Sequence, residues 1–134
     1  KVKNVGKAMP KILIDYSDNI KKKKKKKLML GLNHALFDTG LVAESKDIKT
    51  RIHAVTDYMV GFGEENDDDQ QAFIFIRLQG LSGRTETQKN LMTDSLSKYL
   101  QSFQDYTAVG LETQLCVEFA EMPRDIYRKV LIQK

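Results

Sequence analysis

Twice along this chain an apolar strand gives way to a stretch of helical spacing and then to a second strand. Lys11 to Tyr16 (KILIDY) alternate and are rich in Ile and Leu, the pattern of a buried strand. Ser17-Asp18-Asn19 form a helix-start cluster. Leu28, Leu32, Ala35 and Leu36 then recur at helical spacing, predicting a helix from about Ile20 to Asp38 that Gly40 ends. Ile48 to Tyr58 alternate again: Ile48, Thr50, Ile52, Ala54 and Thr56 make one row, and Lys49, Arg51, His53, Val55 and Asp57 the other. The second unit opens with Ala72 to Gln79 (AFIFIRLQ), the most apolar strand, and a turn at Gly80 to Gly83. A helix follows from Arg84 to about Phe103, with Leu91, Leu96, Tyr99, Leu100 and Phe103 as its buried stripe. Leu115 to Ala120 (LCVEFA) is a strand, Pro123 interrupts, and Tyr127 to Ile132 form a short strand or turn.

This order predicts an α/β (α+β) fold of two β-α-β units: a mixed sheet with two helices packed on one face, each crossover right-handed. One helical layer leaves the opposite sheet face and its edges bare. A strand such as AFIFI is too apolar for that, so an oligomer is expected to cover the face. At 134 residues the chain has the length of one domain, assigned to residues 9–134. Residues 1–8 show no periodicity and precede Met9-Pro10, a natural start of translation. They read as a leader, an expression-derived addition or a mis-assigned fragment, outside the fold.

Charge argues against nucleic acid. The net +4 rests on Lys21 to Lys27, seven consecutive lysines; without them 15 basic residues face 18 acidic ones, a net of −3. An acidic remainder repels a phosphate backbone. The run is anomalous for a helix, because like charges repel along successive turns and cations oppose the dipole at an N-terminus. Either the helix begins late or these are not the natural residues, and the second is the expectation.

No apolar run approaches the roughly 20 residues of a membrane span, and no secretory signal follows the first lysines. The single cysteine, Cys116, rules out an internal disulfide, is compatible with a cytoplasmic protein, and reads as a packing residue. Asp67, Asp68 and Asp69 with Glu64 and Glu65 lack EF-hand spacing and read as a solvated loop. No Walker loop, dinucleotide fingerprint or zinc spacing is present, so neither metal nor cofactor is expected.

Several segments resemble one family in order and spacing: MPKILIDYSDNI at Met9 to Ile20, the Gly40-Leu41 turn, IKTRIHAV at Ile48 to Val55, FIRLQGLSGRTETQK at Phe75 to Lys89, and LCVEFAEM. The chain is similar in these to the 5-carboxymethyl-2-hydroxymuconate isomerases of the tautomerase superfamily. The resemblance implies paired β-α-β units, a homotrimer and an amino-terminal proline freed by removal of methionine. Pro10 maps onto that proline, the catalytic base. A free α-amino group has a reference pKa of about 7.7–8.0, and burial or nearby cations lower it toward neutrality. Arg84 maps onto an arginine that binds substrate carboxylate, a task suited to its fork of donors. Lys49 maps near a second such arginine, with Arg51 as the other choice. His53 shares their strand face and reads as a structural or interface histidine rather than an acid catalyst.

The expected function is a cofactor-independent isomerase that moves a proton within a small unsaturated hydroxy or keto polycarboxylate, 5-carboxymethyl-2-hydroxymuconate by resemblance, in aromatic-compound breakdown. The alternatives are a 4-oxalocrotonate-like tautomerase and a non-catalytic oligomeric binding module whose lysine run engages anions. One departure matters: Pro10 follows Met9, and a proline nitrogen inside a peptide bond is not basic. The working enzyme is therefore expected to begin at Pro10.

Overall fold

The computed structural model describes residues 2–4, 9–21, 24–63, 71–103 and 112–133. A four-stranded mixed sheet is built from β2 (Lys11–Ser17), β3 (Lys49–Val55), β4 (Gln71–Leu81) and β5 (Glu112–Met122), in the order β3-β2-β4-β5. β2 runs parallel to β3 and antiparallel to β4, and β4 runs parallel to β5. Helix α1 (Lys25–Phe37) links β2 to β3, and α2 (Glu86–Ser102) links β4 to β5. The first three-residue strand, β1 (Val2–Asn4), pairs antiparallel with β6 (Val130–Ile132) in a separate ribbon. Part of the segment expected to lie outside the fold therefore meets the C-terminal strand.

Alternation decides which sheet face is buried. Ile12, Ile14 and Tyr16 of β2 and Ala72, Ile74, Ile76 and Leu78 of β4 point into one core with Leu28, Leu32 and Leu36 of α1 and Met92, Leu96 and Leu100 of α2. Burying each such large side chain stabilises by about 1.5–3 kcal/mol. Thr50, Ile52 and Ala54 of β3 lie less exposed than Lys49, Arg51 and His53, as the two rows predict. The second face carries Leu13, Asp15, Phe75, Arg77, Cys116 and Glu118, and among the described residues no helix covers it; Phe75 is 47% exposed.

Five expectations need correction. The first helix begins late, at Lys25, with Lys24 as N-cap, no capping side chain and no acid in its first turn. Repulsion within the lysine run and the opposing dipole account for the delay. The Ser17–Asn19 cluster is not its cap. Ser17 Oγ accepts a hydrogen bond from the Phe73 N–H at 3.0 Å, and Asn19 Nδ2 donates to the Gln71 carbonyl at 2.7 Å, tying the end of β2 to the start of β4. On α2, Met92 is buried while Leu91 is 48% exposed, because Met92, Leu96, Leu100 and Phe103 share the inward face. Gly80 lies inside β4 rather than in a turn; a side chain there would press on the Phe119 ring of β5. Cys116 is exposed, since Leu115, Val117 and Phe119 take the helix-facing positions of β5.

Gly40, at φ +78°, follows α1 as expected and its N–H returns to the Phe37 carbonyl. The acidic loop Asp67 to Asp69 lies outside the described residues. Among the described residues, no helix is long and apolar enough to cross a membrane.

Candidate active site

Strand direction gathers the candidate residues. β2 and β3 begin at the same sheet end where β4 and β5 finish, as the pairs Lys11 with Lys49, Lys11 with Gln79, and Leu81 with Met122 require. Pro10 stands immediately before β2 at this end. Its carbonyl accepts a hydrogen bond from the Lys49 N–H at 3.2 Å, which locks the first residue of β3 beside it. Met9 and Pro10 are both buried. The nitrogen of Pro10 carries the Met9 acyl group in this chain and is an amide.

Arg84 reaches the same end from the loop between β4 and α2. Gly83, at φ +112°, makes the turn that precedes it, a backbone region that suits glycine. Thr85 then caps α2: its hydroxyl accepts from the Gln88 N–H at 3.1 Å, and Gln88 Oε1 accepts from the Thr85 N–H at 3.0 Å. Arg84 Nη2 donates to the Leu41 carbonyl at 2.8 Å. Burial, and then the nearby Arg124 cation, push the guanidinium below its usual value. Arg124 is itself anchored by Nε and Nη2 to the Ser82 carbonyl at 3.2 and 3.1 Å.

Lys49 is exposed, and its ammonium donates to the Asp47 carbonyl at 2.9 Å. Burial of that head, then the charge of Lys129, lowers its pKa below 10.5; Lys11 acts the same way and Asp47 opposes them. Lys129 Nζ pairs with Asp47 Oδ1 at 2.9 Å, and Asp47 is 4% exposed. Lys11 Nζ lies 5.7 Å from the centroid of the Tyr127 ring. An open cleft on this side is lined by Lys11, Leu13, Lys49, Thr50, Arg51 and Gln79.

The structure thus brings Pro10, Lys49 and Arg84 to one end of the sheet. Arg51 stands two residues further along β3, exposed and opposite Leu13. His53 is opposite Asp15, on the second sheet face, roughly 13 Å along the strand from Lys49 at about 3.3 Å per residue. Lys11, Asp47, Arg124 and Lys129 are additions to the sequence reading. Lys11 could have been found from its place beside Pro10; the others arrive by chain return and carry no periodic signal. Among the described residues, no group of His, Cys, Asp and Glu is placed to hold a metal ion.

Two β-α-β units on one mixed sheet, headed by a proline at the cationic end, define a tautomerase-like fold and a tautomerase-type isomerase as the class. The sequence profile of the 5-carboxymethyl-2-hydroxymuconate isomerases matches residues 10–132, and the chain belongs to that family. A 5-carboxymethyl-2-hydroxymuconate isomerase from Deinococcus radiodurans R1 shares the fold with a TM-score of 0.80 and 23% identity, over 92% of this chain and 90% of that one. A 5-carboxymethyl-2-hydroxymuconate delta-isomerase superposes with a TM-score of 0.74 and 16% identity, over 87% and 85%. A fused 4-OT, described as an asymmetric trimer, gives 0.56 and 18% identity over 84% and 86%. No curated protein sequence matches the chain.

Proposed function

We propose that the active form begins at Pro10 and isomerises 5-carboxymethyl-2-hydroxymuconate, or a close polycarboxylate dienol, in aromatic-compound breakdown. Its free secondary amine takes the hydroxyl proton of the dienol and returns it at a carbon of the conjugated system, as the double bonds shift and the enol becomes a ketone. The observation that carries this reading is the gathering of Pro10, Lys49 and Arg84 at one sheet end. Cations there lower the pKa of a free amine, so a useful share is an unprotonated base at neutral pH. Arg84 binds one substrate carboxylate through two parallel hydrogen bonds. Lys49 takes the second anionic group, favoured over Arg51 by its hydrogen bond to the Pro10 backbone. Both cations stabilise the negative charge that develops on the dienolate. The reaction transfers only a proton, so the chemistry asks for no cofactor or metal. The exposed sheet face, with Phe75 half exposed, supports an oligomer whose neighbouring copies cover it, and the form proposed is a homotrimer in the cytoplasm.

The test is production of protein beginning at Pro10, confirmed by mass spectrometry, and its assay beside the full chain on a panel of keto–enol acids. Isomerase activity confined to the form with a free Pro10 amine, greatest on 5-carboxymethyl-2-hydroxymuconate, supports the proposal. Full activity with residues 1–9 attached overturns the role of Pro10. Preference for 4-oxalocrotonate overturns the substrate.

A further inference from the structure

The C-terminal segment places a third lysine beside the proposed site. Asp47, in the 3-10 turn Ser45–Asp47 before β3, is buried, and Lys129 bonds its carboxylate at 2.9 Å. The carbonyl of the same residue accepts from Lys49 Nζ, also at 2.9 Å. Asp47 therefore holds both ammonium groups, one on its carbonyl and one on its carboxylate, and the charge of Lys11 bears on Lys49 as well. Two of these lysines, Lys11 and Lys49, line the cleft with Arg51 and Gln79, and Lys129 joins them through Asp47. Like charges brought this close are unfavourable, and an anion seated between them relieves the repulsion. Lys129 is only 18% exposed, so its charge is less screened by water than that of a free surface lysine.

We propose that Lys129 is a further substrate-specificity residue: with Lys49 it forms a two-ammonium seat for one substrate carboxylate, and Asp47 is the positioning residue that holds the seat. The assignment rests on the isomerase reading for the identity of the substrate. Two point charges can here do the work of one forked guanidinium toward a carboxylate. The assignment also makes the enzyme select dicarboxylates, since Arg84 takes one carboxylate and the lysine pair the other.

Calorimetric titration of the full chain with glutarate and with butyrate tests this apart from turnover. Glutarate should bind at least about tenfold more tightly than butyrate, the worth of one charge-assisted contact. Lys129→Met should reduce that preference to about twofold or less, and Lys129→Arg should retain it. Lys129→Met leaves the Asp47 carboxylate buried without its ion pair, so the Asp47→Asn/Lys129→Met double variant is measured too and should show the same loss. The affinity for glutarate should also weaken with rising pH at a lower pH in the wild type than in Lys129→Met, because Lys129 lowers the Lys49 pKa. An unchanged preference in both methionine variants, equal binding of the two acids by the wild type, or no glutarate binding overturns the proposal. A protein that keeps the Lys129-dependent preference yet isomerises nothing loses the functional reading while this seat stands.

Discussion

Arg84 Nη2 donates a hydrogen bond to the Leu41 carbonyl at 2.8 Å, so one arm of the guanidinium is tied to the segment that follows α1. The capping box of Thr85 and Gln88 fixes the backbone on its other side. A guanidinium has five donors, and one tie leaves ample capacity for a carboxylate. Arg84→Ala should raise KM for carboxylate substrates about 10- to 100-fold, the range for a lost charge-assisted pair. Arg84→Lys keeps the charge but not the fork, and should recover only part of the loss. Steady-state kinetics on protein beginning at Pro10 decide it; unaltered KM and kcat in Arg84→Ala remove this residue from the site.

Pro10→Ala at the mature terminus keeps an α-amine but changes a secondary amine into a primary one on a more mobile residue. Turnover should fall by about 10² to 10⁴, the usual share of a positioned general base. The log of kcat/KM should fall with unit slope on the acid side, as protonation removes the base. Retention of wild-type kcat/KM in Pro10→Ala would falsify the assignment of the ring amine.

Much of this arrangement is legible in the chain, for reasons that differ from part to part. The alternation of Lys49, Arg51 and His53 against Thr50, Ile52 and Ala54 reports the two faces of β3 directly, because side chains in a strand have a period of two. Helical spacing is coarser. Leu91 and Met92 differ by one position and about 100°, and only the packing against β4 and β5 chose Met92. The shared end of Pro10, Lys49 and Arg84 follows once strand directions are known, but their roles came from family resemblance and not from spacing. Asp47 lies outside both helical and strand periodicity, and Arg124 and Lys129 follow Pro123 in a stretch without periodicity. Their proximity to Ser82 and Asp47 is a product of tertiary return over 42 and 82 residues, which a local pattern does not encode.

Lys49 gives a pH dependence of stability with a definite sign. Its folded-state pKa is lowered from 10.5 by burial and then by Lys129, so the folded protein disfavours the charged form. Between the lowered value and 10.5 the unfolded chain binds more protons, and stability contributed by this group rises with pH there. Below that window the whole penalty remains. Lys49→Met should raise the denaturant midpoint near neutral pH and flatten its rise toward pH 10.5. Urea titrations at several pH values check this, and an unchanged slope in the variant refutes the coupling.

The helix pair supplies a structural prediction. Gly31 of α1 faces Tyr99 of α2 so closely that a methyl group at residue 31 would overlap the tip of the tyrosine ring. Alanine is worth about 1 kcal/mol more than glycine inside a helix, but forcing the ring aside costs about 1–3 kcal/mol. The ring is partly buried and packs on Phe103 at 5.9 Å between centroids, so it has little room to swing. Gly31→Ala should therefore be neutral to destabilising by about 2 kcal/mol. In a Tyr99→Leu background the same change should stabilise, because only the propensity gain is left. A double-mutant cycle of melting curves measures the sign change; the same effect in both backgrounds would refute close packing of the two helices here.

The lysine run is costly at the start of α1 and only partly offset. Lys25 Nζ lies 5.9 Å from the Tyr16 ring centroid and Lys27 Nζ 5.9 Å from that of Phe103, so both charges meet aromatic faces. Lys26 is exposed and has no such ring contact. An acid at this first-turn position interacts favourably with the dipole and with its lysine neighbours, whereas a lysine opposes both. Lys26→Glu should stabilise the fold by about 0.5–1 kcal/mol, read as a rise in melting temperature that shrinks in high salt as screening grows. Lys25→Glu should gain less, because it also gives up the contact with Tyr16. If Lys26→Glu instead lowers the melting temperature, the first turn of α1 is not where Lys25 begins it, and the physical reason given for the late helix start fails with it.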